Sequence, residues 1–176
     1  MRMIQFVSIF LAATLVGTFW HARSAEGDRA TAAEAVAKVR EAVALLSKEG
    51  EDGLAVFRKS KSRFVWKDSY VFVTDCERGI ILAHQYPPER VGKPIAAGPT
   101  YAGVTAAERA AAQCAAALRP GGGWWEYRFP EPGTQNIARK VSYLLTVPGK
   151  TWVVGAGVYD STTPIEDFEK ITKAGQ

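Results

Sequence analysis

The sequence predicts an α+β domain, an antiparallel sheet packed on one face by a long N-terminal helix. Three observations carry that prediction. Residues 28–48 place Val36, Val39, Val43 and Leu46 at steps of three, four and three, a single apolar stripe along a helix. Residues 121–160 read as three consecutive strands, 124–129, 138–147 and 151–159, rich in aromatic and β-branched side chains and broken by PEPGTQN and PGK. Upstream, 69–74 and 80–84 read as a shorter strand pair.

At the start of the chain, Met1-Arg2-Met3 is a short basic head, and only Gln5, Ser8, Thr14 and Thr18 interrupt the apolar run 4–20. This is the pattern of a signal peptide, taken as residues 1–24. Cleavage after Ser24 puts Ala22 and Ser24 at the two small-residue positions, whereas cleavage after Ala25 leaves Arg23 at one of them. An uncleaved anchor is the other reading, because a run of this length stands at the lower limit of a membrane span. The remainder, 25–176, is expected to form one exported domain, periplasmic or secreted, with a core of its own. Losing Arg2 and Arg23 and no acid lowers the net charge from +4 to +2. The basic run Arg58, Lys59, Lys61, Arg63 reads as a solvated loop, so no nucleic-acid partner is expected.

The first helix opens on Thr31-Ala-Ala-Glu34, a capping box, and is interrupted at Gly50 and Gly53, with 54–57 as one further turn. Trp66, just before the first strand, reads as a core plug or a ligand contact. The segment 75–79 joins the first two strands as a hairpin turn, with Gly79 where positive φ is needed. Pro87, Pro88, Pro94 and Pro99 mark a long irregular segment of the kind that often carries function. Thr105-Ala-Ala-Glu108 is a second capping box and opens an Ala-rich helix that stops at Arg119-Pro120-Gly121. Pro148-Gly149 turns the second strand of the meander into the third. Thr163-Pro164-Ile165-Glu166 is a third capping box, with Pro at the first helical position, and starts a short tail helix.

Catalytic patterns are missing from the sequence. After signal removal the chain keeps a single histidine, His84, and it holds no HExxH or GxSxG motif. Gly98 and Gly103 have phosphate-loop spacing, but Val104 stands where the lysine must be. Gly155 and Gly157 end a strand where a dinucleotide fingerprint must open a helix. Neither a cofactor nor a metal site is therefore expected, and the chain is read as no enzyme. Cys76 and Cys114, an even pair in an exported chain, are expected to form a disulfide between the first hairpin turn and the second helix.

By the two-residue period of strands, Trp125, Tyr127 and Phe129 share one face, and Lys140 and Ser142 share a face of the next strand. Pairing Tyr127 with Lys140 makes those faces one, but it sets Arg128 against Arg139. A one-residue slip sets Arg128 against Lys140 instead, so charge leaves the register open.

GGGWWEYRFPEPGT (121–134), RKVSY (139–143) and VPGKTWVVGAGVYD (147–160), with FVWKDSYVFVTDCERGIILAH (64–84) and VGK (91–93), resemble the Cache domain family of bacterial extracytoplasmic sensors, in its single, type-2 form. The resemblance implies a PAS-like sheet behind a long helix, with a small-molecule pocket between the sheet and its connecting segments. It also implies that Tyr127, Lys140, Tyr143 and His84 lie around that pocket, with Trp125 from the same strand face as Tyr127. A lysine ammonium and tyrosine hydroxyls in a partly desolvated pocket suit a small carboxylate. Each residue has a plainer reading: Lys140 as a solvated strand charge, His84 as a structural histidine, Trp125 as core. The loop after VGK departs from the family, which carries a polar segment with Asp and Gly where this chain has the apolar, proline-bearing 94–101. The expectation is thus a stand-alone Cache-type domain, like those of chemotaxis receptors, that binds a small organic ligand and presents it to a membrane signalling partner. The alternative is a structural adaptor without a ligand that binds a partner through its long helix.

Overall fold

A computed structural model describes residues 29–174. The signal segment expected over 1–24 lies outside the described residues. The first helix, α1, spans Ala32–Glu49. Its capping box is closed in both directions: the Thr31 hydroxyl accepts the Glu34 amide at 3.2 Å, and the Glu34 carboxylate accepts the Thr31 amide at 2.8 Å. The apolar stripe is buried along its whole length, from Ala35 and Val36 to Leu46. A four-residue helix, α2, follows at Leu54–Phe57.

The six strands are β1 (Val65–Trp66), β2 (Ser69–Asp75), β3 (Ile80–Ala83), β4 (Gly123–Pro130), β5 (Ile137–Thr146) and β6 (Trp152–Tyr159). They form one sheet in the order β1-β2-β6-β5-β4, with β3 also paired to β2, and every pairing is antiparallel. The predicted meander β4-β5-β6 is present. The last strand then inserts beside the first long one, pairing Val71 with Ala156 and Asp75 with Trp152. That closure buries every residue of β2 and β6.

The sheet has a helix on each face. On one side α1 packs against Val71, Val73, Val141, Val154, Ala156 and Val158, with the C-terminal helix α4 (Ile165–Ala174) laid beside it through Phe168 and Trp124. On the other side α3 (Ala106–Ala117) packs Ala116 and Ala117 against Phe72, Leu144 and Val153. The second helix layer was not foreseen, because the expectation put a helix on one face only. Alanines make α3 slim, so it sits close to the strands and leaves room at its N-terminal end.

One turn holds an end of this second layer. In the β2-β3 turn, the Asp75 carboxylate accepts the amides of Glu77 and Arg78 at 3.1 and 3.0 Å and the Thr151 hydroxyl at 2.8 Å, while Gly79 supplies φ +64°. From the same turn, Cys76 is bonded to Cys114 of α3 with the Cα atoms 6.0 Å apart, which is the expected disulfide.

Candidate functional site

β4 and β5 pair with Tyr127 opposite Lys140 and Trp125 opposite Ser142. This is the register that sets Arg128 against Arg139. The repulsion is relieved because Arg128 is exposed, while Arg139 turns to the Glu126 carboxylate and donates to the carbonyls of Asp160 and Thr163 at 2.9 Å. One sheet face therefore carries Trp125, Tyr127, Phe129, Lys140 and Ser142 together with Phe72 and Thr74.

Between this face and α3 lies a cavity of about 40 Å³, walled by Phe72, Trp125 and Phe129 and by the polar groups of Thr74, His84, Arg90, Arg109, Gln113 and Tyr127. Ile95, from the proline-bearing loop, helps to close it. Trp125 and Tyr127 stack at 4.4 Å with nearly parallel rings, so each holds the other upright in the wall. Across the cavity the Gln113 amide donates to the Thr74 hydroxyl at 2.8 Å. The disulfide one residue further along α3 pins that bridge.

The two arginines were not singled out from the sequence. Arg109 is 7% exposed, donates to the carbonyls of Val104 at 2.8 Å and Pro99 at 2.6 Å, and lies over the Tyr101 ring at 5.0 Å. Arg90 ends a single 3₁₀ turn, Pro88–Arg90, and its guanidinium makes no hydrogen bond or ion pair among the described residues. Both reach the same spot: a Cβ on Gly98 would stand 3.2 Å from Arg90 Nη2 and 3.6 Å from Arg109 Nη2. Burial, then the neighbouring Arg90 charge, presses down the Arg109 pKa, yet a guanidinium stays cationic in either setting. No acid pairs with either one among the described residues.

His84 is 6% exposed, and its Nδ1 has no partner among the described residues. Burial, then the charges of Arg90 and Lys140, hold its pKa well below the usual imidazole range, so the ring is neutral at pH 7. Burial lifts the Tyr127 phenol to about 12 despite its 3.3 Å contact with Ser142 Oγ, leaving a hydroxyl that can donate.

Of the residues expected around the pocket, His84, Trp125 and Tyr127 are in the cavity wall. Lys140 is on the same face but stands one layer behind. It is fully buried, has no hydrogen-bond partner among the described residues, and sits among the rings of Tyr70, Phe129, Tyr159 and Phe72 at 4.3, 5.4, 5.2 and 5.9 Å. The space for it comes from Gly157, where a Cβ would collide with Ser142 Oγ and stand 2.5 Å from Lys140 Cε. Tyr143 is not with them. Three residues from Lys140 along a strand, it points through the opposite face, against Trp124 at 5.4 Å, and donates to the Gly121 carbonyl at 2.5 Å. Its place among the pocket residues is therefore corrected: the strand period puts it in the α1 core.

Arg90 and Arg109 carry no motif, and the one signal available was their setting: isolated bases flanking an apolar loop, with no acid at helical or strand spacing for Arg90.

The model of the Cache domain family matches residues 54–163. Among curated proteins, the sensor histidine kinase MctS of Rhizobium johnstonii is 36% identical over 52 residues, 30% of this chain. The chain spans only 11% of that kinase's length. Among solved structures, a methyl-accepting chemotaxis protein from Vibrio parahaemolyticus has a TM-score of 0.57 at 21% identity, covering 77% of this chain and 88% of that one. A Cache chemosensory domain described for its carboxylic acid recognition has a TM-score of 0.52 at 21% identity, covering 70% and 85%. A periplasmic sensor domain of a chemotaxis protein has 0.51 at 22%, covering 72% and 89%. The match over 54–163 takes in every residue of the cavity wall, and the solved structures share the fold of this chain. The chain belongs to the Cache domain family.

Proposed function

We propose that this domain binds a small carboxylate in the cavity between β4, β5 and α3, as the extracytoplasmic input of a membrane signalling partner. One observation carries the reading: two guanidiniums that lack an acid among the described residues line the same partly apolar cavity. An anion seated there gains charge-assisted hydrogen bonds that replace the water it loses, and it relieves the repulsion between Arg90 and Arg109. His84, neutral, and Tyr127 stand ready to donate to or accept from the rest of the ligand. About 40 Å³ is the space of roughly three waters, which suits an acid of two or three carbons better than a long one.

Lys140 has a supporting part in this reading, as a positive centre behind the wall formed by Phe72 and Phe129. Export by a cleaved signal peptide fits the family, and among the described residues no helix is long and apolar enough to cross a membrane. An empty, apolar, closed pocket would favour the adaptor alternative. Polar groups on every side of this one argue for a ligand.

Thermal unfolding of residues 25–176 against acetate, propionate, pyruvate, amino acids, amines and purines tests the reading. A short acid at about 100 times its Kd adds about 2.7 kcal/mol, roughly 5 to 10 °C in a domain of this size. Arg90→Leu is expected to abolish the shift while keeping the fold. A shift caused by amines or purines and not by acids would overturn it.

A further inference from the structure

Lys140 is the most unusual group in the fold. Its ammonium is fully buried, has no hydrogen-bond partner among the described residues, and is surrounded by rings from β2, β4 and β6. The hydroxyls on two of those rings are engaged elsewhere, Tyr70 with the Tyr86 carbonyl at 3.1 Å and Tyr159 with the Pro130 carbonyl at 2.5 Å. Of the titratable groups beside it, His84 at the end of β3 and Tyr127 opposite it on β4 are uncharged at neutral pH, and Arg90 in the loop lies over the Phe129 ring of its cage at 6.0 Å. Asp68, the one acid felt at Lys140, is committed to the Ala30 amide at 2.7 Å. Ring faces alone do not repay the hydration that an ammonium gives up, and burial pushes Lys140 down to about 7.

This arrangement is unfinished until a negative charge arrives beside it. The rings of Phe72 and Phe129 belong both to the Lys140 cage and to the wall of the anion cavity, so a carboxylate in the cavity stands one ring away from the Lys140 amine. We propose that the domain takes up its anion together with a proton: the carboxylate settles between Arg90 and Arg109, and the Lys140 amine draws a proton from solvent to become the ammonium that faces it. The inference rests on the carboxylate reading above and adds its regulation. The receptor state is then set by acid and anion together, so the same concentration of carboxylate fills fewer sites as the medium turns alkaline. Neutral His84 is the other group able to accept that proton, and the test separates the two.

The test is calorimetric titration of acetate and propionate from pH 5.5 to 9, in paired buffers of different ionisation enthalpy, beside carbon-13 NMR of the lysine Cε in ligand-free protein. Lys140 is expected to titrate near neutrality in the free protein. Kd is expected to be flat below pH 6 and to rise by up to tenfold per pH unit above about 7, with proton uptake approaching one per anion at pH 8. Lys140→Met is expected to bind with neither uptake nor pH dependence. A Lys140 that stays charged to pH 9 in the free protein overturns the inference by itself, and that measurement needs no variant and no ligand. Uptake that is absent in wild type while the anion binds also overturns it, as does uptake that survives Lys140→Met but vanishes in His84→Gln. In these cases the carboxylate reading stands. Absence of saturable binding by either acid at every pH defeats the carboxylate reading and the coupling with it.

Discussion

At the scale of single residues, the pocket face turns on Lys140 and Gly157. Lys140 is held mostly neutral in the folded chain above about pH 7, while in the unfolded chain it stays protonated to near its ordinary value. A lysine lowered in this way costs most stability below pH 7, where both states carry the proton, and the cost fades as pH climbs between the two values. Wild-type stability should therefore gain on Lys140→Met by about 1.4 kcal/mol per pH unit from pH 7 to 9, as read by urea unfolding. A difference between the two that does not change with pH would mean the amine is protonated in the fold. Gly157→Ala should lose about 1–3 kcal/mol, because the new methyl occupies the space of Ser142 and Lys140. Lys140, Tyr127 and Trp125 were legible in the sequence through strand period and family resemblance. It could not rank Lys140 behind the wall, since depth depends on Gly157 and on rings from three different strands. Tyr143 was misplaced because a motif read as a unit ignored the alternation within it.

At the scale of elements, local rules were read most safely. The capping boxes of α1 and α3 close as the spacing of Thr31 with Glu34 and Thr105 with Glu108 requires, since their partners are three residues apart in the chain, whereas α4 begins at Ile165 without one among the described residues. Thr31→Ala and Thr105→Ala should each cost about 1 kcal/mol. Only Thr105→Ala should also weaken acid binding, because Arg109 sits one turn into the helix that this cap starts. The disulfide belongs to the same scale: it closes a separation of 38 residues and fixes Gln113 and Arg109 across from the sheet. Cys76→Ser with Cys114→Ser should lower stability by roughly 2–4 kcal/mol. Acid affinity should fall further than the stability loss alone explains, measured where the variant is still fully folded. Equal affinity in folded reduced protein would remove the disulfide from the account of the site. Arg90 escaped notice because it lies in an irregular loop, where neither helix nor strand period says where a side chain points.

At the scale of the whole molecule, the meander β4-β5-β6 was legible because each turn joins neighbours, whereas the β2-β6 pairing was not, because it joins residues about eighty apart. That pairing makes the site. It brings Phe72 and Thr74 beside the meander and gives the sheet a face wide enough for α3 to roof. The apolar, proline-bearing loop then lends Ile95 to the cavity wall. The central claim is that an anion sits in this enclosure against Arg90 and Arg109. A crystal structure of residues 25–176 grown with propionate tests it most directly. A carboxylate is expected within hydrogen-bond distance of both guanidiniums, with Lys140 still behind Phe72 and Phe129. A carboxylate bonded to Lys140 Nζ with both arginines turned away, or one resting outside the cavity, would contradict it.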